Sequence, residues 1–159
     1  MHVARAALAL SVLAAVDAQA APDKCVEETT INGLWICGEP KEAPSHGGES
    51  FVRNAFYKIE NRGTKPIVVE LRELDVLDPQ DAPLRLTIDD ASLLPKPIRV
   101  TKATIAPGAK HDLVIFGKGS IAKLRYHVVY RHRVLFRVDG VERTVRASEM
   151  YFRYPHKRM

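Results

Sequence analysis

After residue 21, apolar and polar positions alternate with a period of two, in short runs cut by turn residues. That period belongs to half-buried strands, and helical spacing is weak throughout. Thr29-Thr30-Ile31 and Leu34-Trp35-Ile36 flank Asn32-Gly33, which predicts a hairpin because both central residues must take positive φ. Residues 38–50 are rich in Pro, Gly and Ser and read as a loop separating a small N-terminal hairpin from the main domain. From residue 51 the strands come regularly, with turns at 61–64, 78–81, 107–108 and 117–120 and a second hairpin signal at Asp139-Gly140. Residues 89–97 read as irregular, and 98–105 as a mostly polar edge strand. Two slips of parity predict bulges. Ile67, Val69 and Leu71 share one face, whereas Leu74 and Val76 take the other, placing a bulge near Arg72-Glu73. Val141 and Val145 differ in parity from Met150, Phe152 and Tyr154, and a bulge near Ala147-Ser148 brings all five to the core side.

About seven strands at this spacing predict an all-β, antiparallel sandwich with a small N-terminal hairpin. The run Phe56-Tyr57-Lys58-Ile59-Glu60-Asn61-Arg62-Gly63-Thr64-Lys65-Pro66-Ile67-Val68-Val69 resembles the "strand, Asn-x-Gly-x-x-Pro, strand" segment of bacterial exported immunoglobulin-like sandwiches. Ile105-Ala106-Pro107-Gly108 is similar to their later "apolar-x-Pro-Gly" turn. The resemblance covers residues 51–116. It implies an immunoglobulin-like fold and carries no activity or site residues.

The N-terminus follows a different pattern. Arg5 precedes an apolar run from Ala6 to Val16, broken only by Ser11, and Ala18-Gln19-Ala20 fits a small-x-small cleavage site. Residues 1–20 therefore read as a signal peptide, 21–50 as hairpin and linker, and 51–159 as the sandwich. The residues before Cys25 are not those of a lipidation box, and no long apolar stretch follows, so the mature chain is expected in a periplasm or outside the cell without a transmembrane segment. Cys25 and Cys37 are the only cysteines and are expected to form a disulfide in that compartment. A turn at Asn32-Gly33 places Glu28 opposite Cys37, so the chain must curl before Glu28 to bring Cys25 within reach.

Charge is uneven. Residues 21–117 hold 12 Lys+Arg and 15 Asp+Glu, whereas 118–159 hold 11 Lys+Arg and 3 Asp+Glu. Over 124–138 the inward parity carries Leu124, Tyr126, Val128, Tyr130, His132, Val134, Phe136 and Val138. The other parity carries Arg125, Arg131, Arg133 and Arg137, so alternation puts four arginines on one face of one strand. Arg146, Arg153, Lys157 and Arg158 follow nearby. Guanidinium groups grip phosphate or carboxylate through paired donors, which makes this face a candidate docking surface for an anion. A solvated face neutralised by the molecule's own acids is the other reading.

No other constellation carries chemistry. His127 and His132 are five apart and point to opposite faces of a strand, so they cannot share a metal, and His132 reads as a core histidine with a hydrogen-bond partner. Gly117-Lys118-Gly119-Ser120 lacks the remaining glycine and the helix of a phosphate loop. There is no Gly-x-Ser-x-Gly elbow. The sequence thus points to a non-enzymatic exported module, with no cofactor, that docks an acidic protein or anionic envelope polymer through Arg125, Arg131, Arg133 and Arg137. Nucleic acid is the less expected partner. The alternative is an accessory subunit of an envelope assembly that acts through strand-edge pairing.

Overall fold

The computed structural model describes residues 24–41, 50–95, 99, 101–120, 124, 125 and 127–152. The signal peptide, His46, Tyr126, Arg153, Tyr154, His156, Lys157 and Arg158 lie outside the described residues, as do the side chains of Met150 and Phe152. Among the described residues nine strands form: β1 (Glu27–Ile31), β2 (Leu34–Gly38), β3 (Ser50–Asn61), β4 (Ile67–Leu77), β5 (Pro83–Leu94), β6 (Lys102–Ile105), β7 (Lys110–Ser120), β8 (Val128–Val138) and β9 (Val141–Phe152). Every pairing among them is antiparallel.

The strands make an antiparallel sandwich of two sheets. One runs β1-β2-β3-β7 and ends on the second half of β5. The other runs β9-β8-β4, and the far edge of β4 is shared: β6 pairs with Ile67–Glu70 and the first half of β5 with Leu74–Leu77. β5 therefore begins in one sheet and ends in the other. Between the sheets lie Leu34, Ile36, Tyr57, Ile59, Leu113 and Ile115 from the first, and Val69, Leu74, Val76, Val134 and Phe136 from the second. Tyr57 and Phe136 meet edge to face with centroids 5.1 Å apart.

Both predicted bulges are present. The register of β4 on β8 shifts between Leu71 and Glu73, and Ala147 and Ser148 together oppose His132, between the pairs Arg131↔Glu149 and Arg133↔Arg146. Val145 is buried as expected, but Val141 is 36% exposed because it sits at the tip of its hairpin. His132 is buried, with Nδ1 2.8 Å from the Ser148 carbonyl. Positive φ at Asn32, Gly33, Asp139 and Gly140 confirms both two-residue hairpins.

Several expectations need correction. Residues 117–120 are not a loop, because β7 continues to Ser120 and pairs there with β3 from Arg53↔Gly117 to Ser50↔Ser120. The hairpin is not separated from the main domain, because β2 pairs along β3 from Leu34↔Asn61 to Gly38↔Tyr57 and supplies core residues. The irregular stretch begins later than expected, because β5 continues to Leu94 with Asp89 as an extra residue between Ile88↔Gly117 and Asp90↔Phe116. The polar edge strand is shorter, β6 spanning only Lys102–Ile105. Cys25 and Cys37 are bonded, with Cα atoms 5.4 Å apart, and Glu28 is indeed opposite Cys37. Cys25 lies before β1, and Val26 N–H donates to the Gly38 carbonyl at 2.8 Å to bring the chain back across β2.

Asn61 organises one end of the sandwich. Its buried amide donates to the carbonyls of Lys65 at 2.8 Å and Ile105 at 2.9 Å, and its Oδ1 accepts from Gly63 N–H at 2.9 Å. Its main chain exchanges hydrogen bonds with Gly108 and Ala109. The Asn-x-Gly-x-x-Pro segment is thereby tied to the Pro107-Gly108 turn. Asn61→Ala leaves buried backbone groups without partners, and a denaturant melt should show a loss of about 2–3 kcal/mol with no change in m-value.

Candidate functional site

β8 alternates strictly between the core and the surface from Tyr130 onward. Tyr130, His132, Val134, Phe136 and Val138 are buried, and Arg131, Arg133, Leu135 and Arg137 stand on the outer face. On β4 the bulge at Leu71/Glu73 turns Leu74 and Val76 inward, which puts Glu73 and Asp75 on that same outer face. Asp75 then lies directly across from Arg133 on one side and Arg85 of β5 on the other. Glu70 lies across from Arg137, which faces Glu142 on β9.

The register makes a ladder of ion pairs. Asp75, only 4% exposed in its side chain, accepts from Arg133 Nη2 at 3.0 Å and from Arg85 Nε. Its hydrogen bond raises the Arg85 pKa above the usual guanidinium value. Arg137 contacts Glu142 at 2.7 Å and Glu70 at 3.8 Å. The Glu70 carboxyl is held below its ordinary range, first by its hydrogen bond with Lys102 and then by the charges of Lys102, Arg137 and Arg72. Arg131 pairs with Asp81, in the turn after β4.

Arg125 is not on the strand. His127 has φ of 61°, a left-handed conformation that an extended strand cannot contain, so β8 begins at Val128. Arg125 still joins the cluster from the preceding segment, reaching Asp78 and Gln80 at 3.2 Å each, while its main-chain N–H donates to the Tyr130 hydroxyl at 2.8 Å. Asp78 is held for this by the amides of Gln80 and Ala82, which donate to its other oxygen.

The four arginines are therefore close together but not equivalent. The shortest ion pairs of Arg131 and Arg137 are with exposed carboxylates, Asp81 at 69% and Glu142 at 41%, while the longer contact of Arg137 is with Glu70, 22% exposed. Such pairs are worth little and exchange readily for an incoming anion. The partner of Arg133 is buried and shared, so that guanidinium compensates an internal charge. Among the described residues no group of three or more His, Cys, Asp or Glu could hold a metal ion.

The sequence allows for neutralisation by the molecule's own acids but does not single out which acids they are. Asp75 was legible in principle, since a bulge at 72–73 fixes its parity as outward. Asp78 and Asp81 were not, because nothing local says which strand a turn will lie beside.

No protein-family model matches the sequence, and a comparison with curated proteins finds no match. Solved structures with a similar chain path include the ASH/PapD-like domain of human CEP192, at 13% identity and a TM-score of 0.44, covering 93% of this chain and 100% of that one. A FixG-related protein from Vibrio parahaemolyticus is similar at 11% identity and a TM-score of 0.43, covering 79% and 100%. A β-sandwich protein from Clostridium difficile 630 is similar at 9% identity and a TM-score of 0.45, covering 78% and 91%. These are likenesses of sandwich shape.

Proposed function

We propose that this chain is an exported, non-enzymatic binding module, released by removal of residues 1–20, that docks an anionic or acidic partner of the cell envelope through the outer face of β8. The observation that carries the reading is the pairing of Arg131 and Arg137, on the outer face of one strand, with the exposed carboxylates of Asp81 and Glu142. Each guanidinium has five donors in a planar fork, and neighbouring acids engage only some of them. A partner's phosphates or carboxylates can take up the remainder without rearranging the sheet. The cation excess of residues 118–159, 11 Lys+Arg against 3 Asp+Glu, favours an anionic partner over a neutral one.

The alternative reading, strand-edge pairing, has less support. The edge of β9 packs against β1 and β2, where Arg146 N–H donates to Glu27. The second half of β5 carries a bulge and the acids Asp89 and Asp90, both of which discourage pairing. That leaves β6, four residues long, and the first half of β5, which opens on Pro83, and among the strands both pair with β4 alone.

The test replaces Arg131 and Arg137 together by Ala. Retention on a heparin column should fall and its salt dependence should flatten. The melt should move by no more than about 1 kcal/mol, because both ion pairs are exposed. Unchanged retention would remove the docking face from consideration.

A further inference from the structure

The outer face of the other sheet carries a cleft unrelated to the arginine ladder. Its volume is about 380 Å³, and it lies across the ends of β2, β3, β5 and β7. Such a volume falls in the range of small-molecule sites. One wall is Trp35 with the Arg62 guanidinium stacked 4.4 Å from its ring centroid, and the opposite wall is Leu94, 37% exposed, with Pro95. Between them the register sets two rows of charge: Glu60 beside Lys110, and Lys58 beside Asp112.

The stack is fixed in place rather than free to turn. Trp35 Nε1 donates to Glu28 at 3.0 Å, Arg62 N–H donates to the Gly33 carbonyl at 2.9 Å, and Arg62 Nε donates to Glu60 at 3.0 Å. Glu60 also faces the Lys110 ammonium at 3.5 Å. The terminal nitrogens of Arg62 and the ammonium of Lys110, whose side chains are 50% and 74% exposed, remain able to turn donors to a ligand. The cleft thus offers one apolar wall, a facing wall of indole and guanidinium, and a floor with both donors and acceptors, and the cations that line it outnumber the carboxylates.

We infer that this cleft binds a small acidic saccharide, a sugar ring bearing a carboxylate or a phosphate. The ring's C–H face suits the Leu94–Pro95 wall. Its hydroxyls can both donate to Glu60 or Asp112 and accept from Lys58. Its anionic group belongs with Arg62 and Lys110, where charge-assisted hydrogen bonds are strongest. A flat base or nucleotide fits less well, because Arg62 already covers a face of the indole.

Trp35 is the only tryptophan of the chain, so its fluorescence reports on the cleft. The full mature protein should be titrated with glucuronate, glucose 6-phosphate and glucose. A saturable change with glucuronate, with glucose 6-phosphate, or with both is expected, and which of them binds identifies the anionic group. Glucose should bind at least about tenfold more weakly, a difference of about 1.4 kcal/mol. Lys110→Ala should weaken the acidic sugar by about tenfold while leaving the melt unchanged, and the Arg131→Ala, Arg137→Ala protein should bind it as the parent does. A saturable change with neither acidic sugar, equal binding of glucose, or an unaffected Lys110→Ala protein would overturn the assignment. Loss of binding in the Arg131→Ala, Arg137→Ala protein would also overturn it, by moving the site to the β8 face.

Discussion

Gly38→Ala is expected to destabilise this protein strongly, although the change adds only one methyl group. A Cβ built on Gly38 collides with the carbonyl oxygen of Arg146 and lies 2.8 Å from its carbonyl carbon. The obstacle is backbone, so no side chain can swing aside to make room. The bulge at Ala147-Ser148 fixes that backbone, and the same seam is held by Tyr57, whose hydroxyl donates to the Val145 carbonyl at 2.8 Å, and by Glu27, which accepts from Arg146 N–H. Burial, and secondly the charge of Glu27, keep the Tyr57 hydroxyl protonated well above the usual phenol range, so it remains a donor at any physiological pH. To admit a methyl group, β2 and β9 must part and these contacts must lengthen together. Overpacking commonly costs about 1–3 kcal/mol, and the rigid neighbour places this case at about 3 kcal/mol or more. Chemical denaturation should show that loss. A fall of less than about 1 kcal/mol would mean that the seam is looser than the contact implies.

The second large effect concerns Asp75. Replacing Arg85 and Arg133 together by Ala leaves a nearly buried carboxylate without either of its guanidinium partners. Stripping the partner from a buried charge costs about 3–5 kcal/mol. Either single replacement should cost clearly less, because the other guanidinium remains, so the pair should be strongly non-additive. Asp75→Asn on the same background should restore much of the loss at neutral pH. If the double variant melts like the parent, the Arg133 guanidinium is free for partners and belongs with Arg131 and Arg137.

The parts of this fold that were legible in the sequence are those governed by side-chain parity. The bulges at Arg72-Glu73 and Ala147-Ser148 follow from slips in alternation, and the two hairpins from residue pairs that tolerate positive φ. The parts that were hidden depend on partners distant in the chain. The N-terminal hairpin reads as an appendage because local period does not say that Leu34–Gly38 will pair with β3. The second half of β5 reads as irregular because the extra residue Asp89 breaks alternation where the strand is moving between sheets. The site shows the same division. Arg131, Arg133 and Arg137 were placed on one face by alternation alone, whereas Arg125 was misplaced because nothing in its neighbours signals the left-handed turn at His127. That Arg133 differs in role from Arg131 could not be read locally, since it depends on the burial of a carboxylate 58 residues away.

The passage of β5 from one sheet to the other has a consequence for how the molecule comes apart. Its first four residues are hydrogen-bonded to β4 and its remainder to β7, with Leu86 and Thr87 at the junction. Fraying of either sheet from that side tugs directly on the ladder of the other. Partial opening, in which one layer peels away while its mate persists, therefore has no cheap route through β5. The slowest-exchanging amides of the two layers should share a single opening event, and the two layers should behave as one cooperative unit.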